Sequence, residues 1–494
     1  MYQYIRSWAF WLISLMIAVS MTRCANIVPP GGGPRDSLPP TLLAVNPPDS
    51  SLHFKNKKVY FVFDEFVELD NVNDKLIVSP TLKRTPIVTA KLRTVTMEIK
   101  DTLQENTTYT FNFSDAIRDI NERNMIAEFQ YVVSTGNYLD SLQIKGHLID
   151  AELGRPDSNV AVMLYRNLED SIVSKEKPVY YAKTRPNGSF WFKNLAPGTY
   201  KIFALKEEDR DLQYNQPSEM IAFQEQPIVI KEKNLDDINL LMFMERDSTI
   251  KEPLPAQDSL DLAQEQEEKE REREKEKDKK KKNPKLQVTP TLDGGLQELP
   301  APMQLTFNLP LRTLDSARMI LGEDSTFSPV TFHSNMDSTH TKLTLHYPWK
   351  EGMAYRLIIP ADAATDTTGQ QLPKPDTISF KSKKASDYAI FVATLKVSDS
   401  TRQAIHDDSM HYVIQLVQDK AIKYSGTVEN GTWTQKFITP GEYEVRVLLD
   451  ANNNGKWDRG QYYKEPKRQP ERVILVPGKQ NLKAYWTIRS PIEI

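Results

Sequence analysis

Cysteine is almost missing from this chain: Cys24 is the only one in 494 residues. With no second thiol there is no internal disulfide, so stability has to come from packed cores, turns and bound ions. Long apolar runs are lacking too. The one clear hydrophobic stretch, Trp8 to Met21, follows the positive Arg6 and falls short of the roughly 20 residues that a membrane-spanning helix needs. Nor is there an excess of one charge. Lys+Arg 63 against Asp+Glu 66 leave a net charge of −3, which offers no domain-wide basic surface to nucleic acid. Histidines are few: His53, His147, His333, His340, His346, His406 and His411 show no zinc-protease spacing. A Gly-x-Ser-x-Gly nucleophile elbow and a phosphate-cradling Gly-rich loop before a helix are absent as well. His406-Asp407-Asp408 with His411 reads as a polar loop, and Asp64/Glu65 as a solvated strand end. These absences point away from an enzyme.

What is present begins at the N-terminus. A positive residue, a short apolar stretch and then the sole cysteine predict a secretory signal over residues 1–23, removed just before Cys24. Cys24 would then carry fatty acyl chains of the palmitate type as the first residue of a mature lipoprotein. Arg23 departs from this pattern, since a small residue is preferred at that place. The competing reading is a buried or free thiol in an exported protein. Residues 24–40 follow as a Gly/Pro tether, with Pro29-Pro30-Gly31-Gly32-Gly33-Pro34 and Pro39-Pro40.

A second break lies at residues 248–285, where the chain from Gln264 to Lys285 is nearly all Glu, Lys and Arg. Such a segment buries no core. It reads as a charged spacer, either a solvated helix held by Glu–Lys pairs or a chain without fixed structure. A basic docking site for an anionic lipid or a partner is the alternative.

The two sides of this spacer resemble each other. Asn187-Gly188-Ser189-Phe190 is matched by Asn430-Gly431-Thr432-Trp433, and Pro197-Gly198-Thr199-Tyr200 by Pro440-Gly441-Glu442-Tyr443. Both pairs share one offset, 243 residues (430 − 187 and 440 − 197). Asp115-Ala116-Ile117-Arg118-Asp119 is matched by Asp362-Ala363-Ala364-Thr365-Asp366 at an offset of 247. A near-constant offset predicts tandem duplication of a two-domain unit. Within each unit the apolar residues alternate: Val59/Phe61/Phe63, Val95/Met97/Ile99 and Tyr109/Phe111/Phe113 in the first, Leu343/Leu345 and Tyr355/Leu357/Ile359 in the second. Period 2 with β-branched and aromatic residues predicts half-buried strands, and recurring Asn-Gly and Pro-Gly turns favour sandwiches. No convincing amphipathic helix stands out beyond the signal and the spacer. The expected fold is all-β: tandem β-sandwiches over residues 41–136, 137–247, 286–384 and 385–494.

Several motifs carry a family resemblance. They are Cys24-Ala25-Asn26, the Gly-Gly-Gly-Pro segment, Asp64-Glu65-Phe66-Val67-Glu68-Leu69-Asp70, Asn106-Thr107-Thr108-Tyr109, Asp115 to Asp119, and Ser134-Thr135-Gly136. Together they resemble the Ig-like-domain envelope lipoproteins of Bacteroidota, whose first domain belongs to a bacterial Ig-like superfamily also seen in surface-layer proteins. The resemblance runs from Cys24 to Phe223, weakens over Leu286 to Lys384, where Asn308-Leu309-Pro310 stands in place of Asp-Glu-Phe, and returns from Asp387 to Ile494. The second domain of each unit is similar to transthyretin-like or collagen-adhesin B-type sandwiches. The resemblance implies an envelope lipoprotein without catalytic activity and leaves its precise role open. The expectation drawn from the whole sequence is an outer-membrane-anchored binding or scaffolding protein, with an accessory subunit of an envelope assembly as one such role. The expected partners are the membrane, through Cys24, and other envelope proteins, with no nucleic acid and no small-molecule substrate. In this family acidic residues just after the lipidated cysteine mark export to the cell surface. Here Ala25 to Pro30 carry none and the first acid is Asp36, which implies the periplasmic face. A surface carbohydrate-binding lipoprotein is the alternative, although Trp191, Trp433, Trp457 and Trp486 read as core or turn residues.

The sharpest chemical motif is Asp450-Ala451-Asn452-Asn453-Asn454-Gly455-Lys456-Trp457-Asp458. Calcium takes six to eight oxygen ligands, and a loop with side-chain oxygens at alternate positions and Gly at the sixth wraps such an ion. Asp450, Asn452, Asn454, the Lys456 carbonyl and Asp458 supply this pattern, while the twelfth position is Gln461 rather than Glu. The bland alternative is an Asn-Gly turn between strands. The earlier copy keeps Glu207, Asp209 and Asp211 but has Leu212 where the Gly falls, so calcium is less expected there.

Overall fold

The computed structural model describes residues 35–206, 211–245, 284–323, 326–405, 410–463 and 466–494. The signal, Cys24, most of the tether and nearly all of the charged spacer lie outside the described residues. The fold is all-β, in tandem sandwiches. Two short α-helices, Val72–Lys75 and Asp399–Ile405, interrupt the strands. The chain divides into two compact units. One comprises Met1–Ser141 with Asn194–Ala196, the other Leu142–Lys193 with Pro197–Ile494.

In the first unit, strands Leu42–Asn46, Lys58–Phe63, Thr94–Glu98 and Ile87–Lys91 make one sheet in that order. Ile77–Ser79, Thr108–Ser114 and Phe129–Ser134 make the other. Alternation selects the buried face, so Val59, Phe61, Phe63, Val95 and Met97 are fully enclosed. They meet Phe111, Phe113 and Tyr131 across the sandwich. Thr108 and Thr110 are buried as well, and the Thr108 hydroxyl accepts the backbone N–H of Asp140. A small ribbon, Val67–Leu69 with Ile117–Asp119, closes one end.

The second unit repeats this plan over residues 288–382. Val288–Pro290, Met303–Phe307, Lys342–His346 and His333–Met336 follow the same sheet order, and Leu311–Leu314 pairs with Ala364–Asp366 as the ribbon. The remaining sandwiches also match each other. Leu142–Asp150 runs parallel to Leu235–Met244, and Ala389–Lys396 runs parallel to Thr487–Glu493. In each, the strand after the Asn-Gly turn pairs with the first strand, Ser189–Leu195 in one copy and Thr432–Ile438 in the other. The copies differ in strand number, nine in the earlier against seven in the later. Leu235–Met244 also pairs at its end with Met220–Phe223, which joins the sheets of the earlier copy into one, whereas the later copy keeps separate three- and four-stranded sheets.

The largest departure from separate modules lies inside the second unit. The segment after the Asp450–Asp458 loop packs into the core of the earlier sandwich. Tyr462 is 6% exposed there, among Met163, Tyr165, Phe203, Tyr214, Phe223 and Phe243, with its ring 4.9 Å from Phe223 and 5.5 Å from Phe203. Gly460 makes this approach feasible, because a Cβ at that position would stand 2.5 Å from the Phe243 ring.

Candidate functional site

Strand Gly441–Asp450 ends in the candidate calcium loop. Asp450 is wholly buried and turns its carboxylate into the loop. One oxygen accepts the backbone N–H of Asn454 at 3.1 Å, the other that of Gly455 at 2.7 Å. Gly455 sits at φ +73 with open space around it, the left-handed conformation that lets the chain bend at the sixth position. Asn452 and Asn454 present their amide nitrogens to one oxygen of Asp458, at 2.5 and 2.8 Å. Lys456 donates its backbone N–H to the Asn454 side-chain oxygen at 2.8 Å. The loop therefore brings Asp450, Asn452, Asn454 and Asp458 onto one small ring.

Sequence spacing missed a third acid. Glu471 arrives from beyond an excursion of the chain and straddles the loop, accepting Ala451 N–H at 2.9 Å and Asp458 N–H at 3.0 Å. Burial pushes its carboxyl above the ordinary glutamate range, and the nearby negative charges of Asp450 and Asp458 add to this despite the two backbone donors. No spacing rule ties residue 471 to a loop that starts at 450, so only the fold could place it. Among the described residues no three His, Cys, Asp or Glu side chains are arranged to hold a metal. A calcium ion here would need the Asn452 and Asn454 amides turned so that their oxygens replace the nitrogens facing Asp458.

In the earlier copy, Glu207 and Asp209 lie outside the described residues, and Asp211 is engaged by Asn215 at 2.5 Å and by Gln213 N–H at 2.7 Å. Residues 406–409, with His406, Asp407 and Asp408, are outside them too, while His411 opens an ordinary strand. Of the tryptophans, Trp433 is buried and Trp191 and Trp457 are half-buried. Trp486 departs from the expected packing, being 60% exposed beside Tyr485 at 83%.

Residues 36–135 match the bacterial Ig-like domain family. Among curated proteins none matches the chain. Similar solved structures include the major pilin subunit BcpA of Bacillus cereus, 10% identical with a TM-score of 0.16, over 72% of this chain and 99% of that one. The N-terminal part of the bacterial surface-layer protein SbsC is 12% identical with a TM-score of 0.20, over 47% of this chain and 50% of that one. The TIE protein of Bacillus anthracis is 9% identical with a TM-score of 0.15, over 94% of this chain and 76% of that one.

Proposed function

We propose that this chain is a lipoprotein of a bacterial envelope, anchored in the outer membrane through acyl chains on Cys24, and that it serves as a non-catalytic binding or scaffolding protein. The observation that carries this reading is the order of features along the chain. A short apolar stretch, the sole cysteine and a Gly/Pro tether lead directly into residues 36–135, the part that matches a bacterial Ig-like domain. Diacylation would be the only strong membrane anchor in this sequence. Cys24→Ala should therefore release the protein from membranes into the soluble fraction, and unchanged partition into detergent would overturn the anchor.

The lack of acids directly after Cys24 favours the periplasmic face, and other envelope proteins are the proposed partners. Contact would run along sheet edges such as Leu42–Asn46, which pairs on one side only. Calcium at Asp450, Asn452, Asn454, Lys456 and Asp458 is part of the same proposal. A second reading, carbohydrate binding, draws on the exposed Tyr485 and Trp486. Loss of glycan binding in Trp486→Ala would favour it, and no binding by the unaltered protein would remove it.

A further inference from the structure

A cavity of about 710 Å³ opens beside the loop, inside the second unit. Its apolar wall comes from Leu241, Met410, Leu449 and Ile474. Arg472 also lines it, and the Nε of its guanidinium is shut away from water without a hydrogen-bond partner. Among the described residues no carboxylate pairs with this side chain. Burial depresses its pKa. The residue as a whole is half-buried, and a buried N–H of a charged group left without an acceptor is costly. Asp458 and Glu471 also reach the cavity, with both Glu471 oxygens and one of Asp458 accepting N–H groups of the loop. The second arginine at the wall, Arg468, is held by the Arg459 carbonyl at 3.0 Å, and its exposed charge adds to the positive side.

We infer that this cavity binds a small amphipathic carboxylate, with the acid group on Arg472 and the hydrocarbon part against Leu241, Met410, Leu449 and Ile474. Guanidinium and carboxylate match as a planar, two-pronged pair, and the charge-assisted bonds between them are among the strong ones. A volume of this size falls in the range of small-molecule sites, which are mostly apolar with a few fixed polar groups. The inference does not depend on calcium or on the anchor at Cys24.

Calorimetric titration of the full chain with octanoate tests it. One saturable site is expected, with octylammonium and acetate binding at least about tenfold more weakly, since the first lacks the charge match and the second the apolar body. Arg472→Met keeps the stem and removes the charge, and should weaken octanoate by at least about tenfold, the lower end for a hydrogen bond to a charged group. Met410→Glu, in the apolar wall, should do the same by repulsion and serves if the first variant does not fold. Absence of saturable octanoate binding, equal binding of octylammonium, or unchanged affinity in a folded variant of either kind would overturn the inference.

Discussion

At the residue scale, the duplicated motif ending in Asp119 and Asp366 has a structural task. Asp119 is 1% exposed and accepts the N–H groups of Glu122, Arg123 and Asn124 at 2.6, 2.9 and 2.7 Å. Asp366, wholly buried, accepts those of Thr368 and Gln370 at 2.8 Å each. Each carboxylate caps the turn that follows the small ribbon. Burial raises the Asp119 carboxyl, but its backbone donors outweigh that and hold it below the ordinary value of 3.8. A depressed folded pKa contributes stability that is fully present above the unfolded value and is lost as pH falls through the folded one. We therefore expect unfolding of the Ig-like domain on acidification below about pH 4 to be blunted in Asp119→Asn, with lower stability at neutral pH. Thermal unfolding of both proteins across that range checks this, and parallel pH profiles would refute it. The repeat was legible in the sequence; that its last residue is a buried turn cap was not, because an Asp followed by polar residues also describes an exposed loop.

At the element scale, the segment from Asp450 to Glu471 is one device rather than a loop and a linker. Gln461 and Arg468 exchange backbone hydrogen bonds at 2.8 Å, which folds the excursion back on itself. Glu471 N–H donates to the Asp458 carbonyl at 2.9 Å, and the Trp457 indole donates to the Glu471 carbonyl at 2.7 Å. An ion held only by the folded loop stabilises by mass action, about 2.7 kcal/mol when present at 100 times its dissociation constant. Calcium should accordingly raise the melting temperature of the full chain. The response should vanish in Asp450→Ala with Asp458→Ala, and shrink in Glu471→Gln, which keeps the shape and removes one charge. A melting temperature indifferent to millimolar calcium would leave the bare turn. The alternating Asp and Asn residues were readable as a candidate ligand set, whereas the third carboxylate became visible only once Gln461 and Arg468 had paired.

At the scale of the whole molecule, the charged spacer does not separate independent modules within the second unit. Tyr462 fills the core of the earlier sandwich, and its backbone N–H and that of Tyr463 both donate to the Glu245 carboxylate. Lys467 pairs with Asp170 at 2.7 Å, Gln469 donates to the Phe223 carbonyl at 2.9 Å, and Arg155 pairs with Glu444 at 2.5 Å. Trypsin is expected to cut after the Lys and Arg residues of the spacer, between Arg271 and Lys282, giving two fragments on denaturing gels. In native chromatography those fragments should travel together. Tyr462→Ala deletes a large buried ring and should lower stability by about 3–5 kcal/mol, the range for large aromatic truncations, and should let the nicked fragments part. Separation of the unaltered nicked fragments would mean that the two sandwiches associate only while covalently joined.

The sequence by itself determined what is local or repeated. Alternation over Lys58–Phe63 and Ala354–Ile359 marked strands and their inner faces, since the side-chain period of a strand is 2 and burial follows it directly. Equal offsets marked the duplication, because copies keep their turn residues. Tertiary structure alone decided what depends on chain segments meeting from afar. Thr108 and Thr110 look like outward residues of an alternating strand, yet are buried by neighbours that the alternation does not encode. Tyr462 looks like any loop aromatic, and Glu471 and Arg472 like ordinary charged residues before a strand. Their roles arise from contacts with Phe223, Glu245 and Asp458 and from the cavity that Arg472 lines. Closing loops of that length is paid for by burial of the whole interface, and no short window of sequence carries that sum.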